Sequence, residues 1–168
     1  MSTKKVIFDL DMDKCVACGA CAIACMDQND IKPEEGEKPF RTVGNAEPVV
    51  IGDKIRFLSS GCMHCEDAAC IEACPINVFR KNEMGLTVYD NTNYIGCHSC
   101  LLACPYGAPT FWPSGKMEKC NGCAVRLEYG LEPACVNICP TGALTCRTVE
   151  EYEAADKGAS LRAAMSSD

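Results

Sequence analysis

The sequence predicts an α+β fold of short strands and short helices joined by much loop. Three observations carry that prediction. Sixteen of the 168 residues are cysteine, and fifteen of them fall in tight groups. Aromatic residues make up only 7%, with one tryptophan, so the apolar core is thin and cross-linking through cysteine must help hold the fold. Three short segments alternate apolar and polar residues, as half-buried strands do.

The first strand is Val6, Phe8 and Leu10, alternating with Ile7, Asp9 and Asp11. A short helical turn is expected after Cys21. Residues 27–54 hold Pro33, Pro39, Pro48, Gly36, Gly44 and Gly52 and read as loop, either a partner-docking segment or a covering flap. Asp27, Asp30, Glu34, Glu35 and Glu37 form an acidic run there, most simply a solvated face. Ile55 and Phe57 around Arg56, and Leu86 and Val88 between Thr87 and Tyr89, read as strands. Helical turns follow Cys70, Cys100 and Cys135, and Ala143–Thr148 can close a sheet. Thr148 with Glu151 fits a capping box ahead of the helix formers in Glu150–Ala155. Gly158 weakens that helix, and Tyr152, Ala155, Ala159 and Leu161 only partly follow a stripe. A frayed terminal helix is therefore expected, with docking on a partner subunit as the sharper alternative.

Charge and hydropathy exclude several functions. The net charge is −7 and no Lys/Arg stripe is present, which disfavours nucleic acid. No apolar run approaches the roughly 20 residues of a membrane span. Met1-Ser2-Thr3-Lys4-Lys5-Val6 leads into Asp9 and Asp11 without the apolar core of a signal peptide, and no twin-arginine pair precedes an apolar stretch. A cytoplasmic location is expected. Thiols stay reduced there, which weakens a disulfide reading.

The cysteine spacing is the strongest signal. The groups are Cys15-x2-Cys18-x2-Cys21-x3-Cys25; Cys62-x2-Cys65-x4-Cys70-x3-Cys74-Pro75; Cys97-x2-Cys100-x3-Cys104-Pro105; and Cys120-x2-Cys123-x11-Cys135-x3-Cys139-Pro140. Cys146 stands alone. Three closely spaced thiolates wrap one iron–sulfur cubane. The x3 step, about one helical turn, carries the fourth thiolate away to a different cluster supplied by a partner group. The prolines then force the chain to turn. C-x2-C pairs also occur in zinc knuckles, but zinc explains neither a third thiolate two residues on nor the repeated Cys-Pro ending.

On these residues the chain resembles the four-cluster ferredoxin-like electron-transfer subunits that accompany molybdenum and tungsten oxidoreductases and some hydrogenases. The matching segments are Cys62-Met-His-Cys-Glu-Asp-Ala-Ala-Cys70 through Pro75, Cys100 through Pro109, Lys119-Cys120, and Pro133 through Leu144. The opening Val6-Ile-Phe-Asp-Leu and Cys15-Val-Ala-Cys-Gly-Ala-Cys look like the short soluble polyferredoxins of anaerobic metabolism. These accompany tungsten aldehyde oxidoreductase, formate hydrogenlyase and hydrogen-dependent carbon dioxide reductase. The resemblance implies two nested bacterial-ferredoxin-like units: an outer one, 1–54 with 111–168, and an inserted one, 55–110. It implies four clusters, three of them [4Fe-4S]. Cys15, Cys18, Cys21 and Cys139 hold the first, and Cys120, Cys123, Cys135 and Cys25 the second. Cys62, Cys65, Cys70 and Cys104 hold the third, while Cys74, Cys97 and Cys100 serve the last.

The last set is one thiolate short, because Tyr94 stands where the family pattern has cysteine. A [3Fe-4S] cluster, a [4Fe-4S] cluster with water, hydroxide or Asp90 on the odd iron, a Tyr94 phenolate ligand, and an absent cluster all compete. A modified but present cluster is favoured, since the three thiols would otherwise line a hole. Cys146 reads as a small buried strand residue rather than a rescuing ligand. His64 and His98 lie between grouped cysteines. Loop geometry is expected to point them outward, against proton coupling or ligand replacement. Lys119 and Arg126 flank the fourth group, where positive charge would favour a reduced cluster, though surface solvation is the plain alternative.

The chain has no Gly-rich dinucleotide loop, since Gly19 and Gly61 belong to cysteine loops, and no P-loop. The radical-enzyme spacing C-x3-C-x2-C begins at Cys21 and Cys25 but fails at Gln28. A non-catalytic electron-transfer subunit follows. The resemblance implies as partners a tungsten- or molybdenum-pterin catalytic subunit, with tungsten aldehyde oxidoreductase first, and a flavin or hydrogenase subunit. A formate dehydrogenase or hydrogenase complex and a free polyferredoxin are the alternatives. Self-association is conceivable.

Overall fold

The computed structural model describes residues 4–44, 49–51, 54–155 and 160–162; Pro48, Gly52, Gly158 and Ala159 lie outside the described residues. Phe8 and Leu10 turn one face of β1 (Val6–Leu10) inward. Its antiparallel partner is β10 (Leu144–Thr148), with Phe8 opposite Cys146 and Leu10 opposite Leu144. The two ends of the chain are thus joined in one ribbon.

The other described strands also form antiparallel pairs. β2 (Arg41–Val43) pairs with β5 (Ser59–Gly61), and β3 (Val49–Ile51) with β4 (Lys54–Arg56). β6 (Phe79–Lys81) pairs with β7 (Thr87–Tyr89), and β8 (Thr110–Phe111) with β9 (Met117–Glu118). The helices are α1 (Ala20–Gln28), α2 (Ala69–Glu72), α3 (Ser99–Ala103), α4 (Ala124–Glu128), α5 (Ala134–Asn137) and α6 (Val149–Ala154). Helix α1 packs on α5, and α2 on α3. The first and fourth cysteine groups therefore meet, and so do the second and third. Among the described residues no helix is long and apolar enough to cross a membrane.

The main core gathers Phe8, Leu10, Met84, Leu86, Ala143 and Leu144. Leu86 enters it from a hairpin whose turn is held by Asn82, which accepts from the Met84 and Leu86 amides through Oδ1. Leu86 is fully buried and rests on Gly122. A Cβ at 122 would lie 2.8 Å from Leu86 Cδ1, on a backbone already at φ +73°. Only glycine suits that position.

Two sequence expectations need correction. Residues 27–54 are not plain loop. They hold a 3-10 turn at Pro33–Glu35, strand β2 and the β3–β4 hairpin. Ile31 and Phe40 are buried, and Phe40 stacks on Trp112 at 5.8 Å. Three-residue strands are too short to show a period in sequence. The acidic run is a solvated face, with Glu35 paired to Lys32 at 3.0 Å. Ile55, read as a strand residue, is in β4 but is 64% exposed.

The tail is not frayed over its described residues. Thr148 and Glu151 form the capping box, and Tyr152 is buried. Ser160 donates to Asp9 Oδ1 at 2.8 Å, and Arg162 Nε donates to the Phe8 carbonyl at 3.2 Å. Ser160 and Arg162 supply donors to β1, so the tail is held by polar contacts that no helical stripe would reveal.

Candidate metal centres

Twelve of the grouped thiols gather in fours around three cavities. Cys15, Cys18, Cys21 and Cys139 line one of about 340 Å³. Cys25, Cys120, Cys123 and Cys135 line a second of about 340 Å³, covered by Phe40 and Arg41. Cys62, Cys65, Cys70 and Cys104 line a third of about 370 Å³. Each foursome takes three thiols from one group and one from another, delivered by the α1–α5 and α2–α3 packing.

The donor set fits an iron–sulfur cluster. Burial and then the neighbouring Cys135 and Cys123 push the Cys25 thiol up to about 11. Burial likewise raises Cys15, and Cys21, Cys139 and Cys18 add to it. A thiol raised in this way becomes a thiolate where a cationic occupant displaces its proton. Among the described residues no three His, Cys, Asp or Glu side chains gather tightly enough for one metal ion. Four thiols spread round a cavity suit a multinuclear group better than a single zinc.

Amide donors point at the sulfurs in a repeated way. The Val78 amide donates to Cys74 Sγ at 3.4 Å, Ala108 to Cys104 Sγ at 3.5 Å, and Leu144 to Cys139 Sγ at 3.5 Å. Each follows a Cys-Pro step, whose forced turn brings a later amide back over the sulfur. Cys25 lacks the proline, and Asn29 Nδ2 takes the donor role at 3.7 Å. The Gly122 amide serves Cys120 at 3.3 Å. Such bonds favour the thiolate form.

The fourth set is built differently. Cys74, Cys100 and Tyr94 share one apolar cluster with Phe111, and Cys97 lies beside them. The backbone of Tyr94–Cys100 repeats that of Cys15–Cys21. Gly96 (φ +71°) matches Ala17 (φ +54°), and His98 (φ +58°) matches Gly19 (φ +78°), with a helix starting directly after each. Tyr94 thus occupies the slot that Cys15 fills in the first group. Its hydroxyl is buried, and among the described residues it makes no hydrogen bond of good geometry. Burial, then Cys100, Cys97 and Cys74, hold the phenol above its usual range. Asp90 is committed elsewhere: it is exposed, and Oδ1 accepts from the Thr92 amide at 2.9 Å and hydroxyl at 2.6 Å. Cys146 is half-buried in β10, and burial pushes its thiol up to about 12.

The outward orientation expected of His64 is corrected by the structure. The residue is 8% exposed and stacks on Phe8 at 5.7 Å. A left-handed backbone (φ +48°) turns the ring into the protein. His98 is exposed and stacks on Phe111 at 3.8 Å. Lys119 is not a surface residue: at 1% exposure it donates to the Thr87 and Cys120 carbonyls, both at 2.6 Å. It lines the third cavity while following the backbone to Cys120 of the second. Arg126 bonds Glu132 O and Gln28 Oε1 near the surface.

Sequence reasoning missed Arg41 and Lys81. Arg41 is buried, donates to Ser59 O at 3.0 Å and Ser59 Oγ at 3.2 Å, and faces Cys135, Cys120 and Cys21. Lys81 donates to the His64, Cys65 and Gly85 carbonyls. No spacing signal marks either residue. Both are recruited from strands that the sequence does not reveal.

Two family models, each described as a 4Fe-4S dicluster domain, match residues 54–149 and 7–75. The chain is 37% identical over 151 residues to the B subunit of anaerobic dimethyl sulfoxide reductase from Escherichia coli (strain K12), covering 86% of this chain and 74% of that protein. It is 33% identical over 153 residues to the thiosulfate reductase electron transfer subunit PhsB of Salmonella typhi, covering 90% and 80%. It is 34% identical over 159 residues to the nitrate-inducible formate dehydrogenase iron-sulfur subunit of E. coli, covering 84% and 54%. With its cysteine foursomes and these matches, the chain belongs to the 4Fe-4S dicluster family, as an iron–sulfur electron-transfer subunit.

Proposed function

We propose that this chain relays single electrons between a catalytic molybdenum- or tungsten-pterin subunit and a second redox subunit. The observation that carries the reading is the gathering of twelve thiols into three similar foursomes, each drawn from two sequence groups. In this reading Cys15, Cys18, Cys21 and Cys139 hold one cluster, and Cys25, Cys120, Cys123 and Cys135 a second. Cys62, Cys65, Cys70 and Cys104 hold a third, and Cys74, Cys97 and Cys100 a modified fourth beside Tyr94. When bound, such clusters take up and release one electron at a time. The protein's part is to hold them with thiolates, exclude water with Phe40, Trp112 and Phe111, and direct amides and buried cations at the sulfurs.

The nested arrangement belongs to the proposal. The β1–β10 and α1–α5 contacts support an outer unit of 1–54 with 111–168, and the α2–α3 and β6–β7 contacts support an inserted unit of 55–110. The named relatives belong to dimethyl sulfoxide reductase, thiosulfate reductase and formate dehydrogenase systems. They favour a formate-dehydrogenase-type or related reductase complex at least as well as tungsten aldehyde oxidoreductase. A cytoplasmic setting would keep the thiols reduced.

The test is metal analysis of the complex purified anaerobically from its native host. About 15–16 irons per chain, with molybdenum or tungsten, is the expected result. Iron without either metal would overturn the pterin partner, and zinc in place of iron would overturn the cluster assignment.

A further inference from the structure

We propose that His64 is a positioning residue that raises the reduction potential of the site formed by Cys25, Cys120, Cys123 and Cys135, and that it does so from the loop of a different site. The inference rests on the cluster assignment above. His64 belongs by backbone to the Cys62–Cys65 loop, whose thiols line the third cavity. Its ring leaves that cavity. Nδ1 accepts from the Thr87 amide at 3.1 Å, and Nε2 lies 3.7 Å from Cys120 Sγ.

The first bond fixes the tautomer. A nitrogen that accepts carries no proton, so the ring's proton is on Nε2 and points at Cys120. The ring is therefore neutral, because an imidazolium has no acceptor nitrogen. Cys120 consequently receives two donors, the Gly122 amide at 3.3 Å and His64 Nε2–H.

A donor on a cluster thiolate stabilises the more negative, reduced state and raises the potential. The corresponding slots of the other groups carry no ring: they hold Ala17, Gly96 and Gly122, all with positive φ. The strained backbone of His64 is therefore used in one group to lend a donor across to another. Lys119, bonded to Thr87 O and Cys120 O, pins the strand that fixes the ring.

The test is an EPR-monitored redox titration of the iron-loaded protein and of H64F, H64Q and H98Q. Phenylalanine keeps the ring's shape against Phe8 and removes the donor, whereas glutamine keeps an N–H. In H64F one midpoint should fall by about tenfold in its reduction equilibrium, ~59 mV for a one-electron couple. H64Q should recover most of that shift. H64F with full iron and every midpoint unmoved would overturn the proposal.

A second measurement needs no variant at position 64. The chain has only two histidines, His64 and His98. Pulsed EPR on [15N]histidine-labelled protein should show a nitrogen coupling to a reduced cluster that persists in H98Q. No coupling at any stage of the titration would overturn the proposal even if H64F fails to load iron. Failure of the unaltered protein to bind iron would instead overturn the underlying cluster assignment.

Discussion

Tyr94 shows what one side chain decides. Its loop repeats the positive-φ pattern of the loop after Cys15, with a phenol where that group presents a thiol. On the proposed assignment three thiols suffice for three irons, with the phenol of Tyr94 in the place of a fourth ligand. The oxidised protein is expected to give a three-iron EPR signal. Tyr94→Cys should abolish it and add about one iron per chain; an EPR-silent oxidised protein would eliminate the three-iron form. Cys146 makes the opposite case, a cysteine of β10 outside the three foursomes. The thiolate is the nucleophile, and burial keeps this thiol protonated far above neutrality. At pH 8 the loaded protein should take up well under one equivalent of iodoacetamide. A folded-state value raised above the unfolded one means that the folded form holds the extra proton. Its stabilising contribution is full below about pH 9 and is lost as pH rises toward about 12. Cys146→Ser should remove that part of the alkaline dependence in a pH series of thermal melts. The gathering of thiols within a group could be read from spacing, because two-residue steps keep neighbouring thiols together. The burial of His64 and Lys119 could not, because both are placed by Thr87, a residue distant in sequence.

The elements are short enough that packing, rather than periodicity, fixes them. Strand β1 is legible because Phe8-Asp9-Leu10-Asp11 alternates apolar and polar residues. Strands β2, β5, β8 and β9 run only two or three residues and carry no pattern. Helix α4 spans five residues and escaped the sequence reading, which sought turns after Cys21, Cys70, Cys100 and Cys135 but not after Cys123. At this scale the contact of Leu86 with Gly122 is the sensitive joint. It lets the β6–β7 hairpin of the second group lie against the cysteine loop of the fourth. Leu86→Ala should cost about 2–5 kcal/mol in thermal or denaturant melts. Gly122→Ala should do more selective damage. The added methyl forces the Cys120–Cys123 loop off Leu86, so iron content should fall at the site of Cys25, Cys120, Cys123 and Cys135. An iron-replete Gly122→Ala protein would show that the loop has more room than this contact implies.

The whole molecule is organised from its ends inward. β1 and β10 close the chain on itself, and the described tail residues Ser160 and Arg162 fasten onto β1. With so few aromatics the apolar core is small, and removal of iron by an anaerobic chelator should abolish most far-UV circular dichroism. Retention of the native spectrum after full iron loss would show that side-chain packing alone suffices. The joined ends also dictate a timetable for synthesis. On the proposed assignment, every ligand of the inserted unit has left the ribosome once residue 104 has emerged, but Cys15, Cys18 and Cys21 must wait for Cys139. The earliest thiols to be made are therefore the last to be used. Chains stalled once residue 110 has cleared the exit tunnel, but before Cys120 has, should carry the inner irons and none of the outer ones, so the nascent protein matures from its middle, with its leading cysteines needing protection until Cys139 emerges.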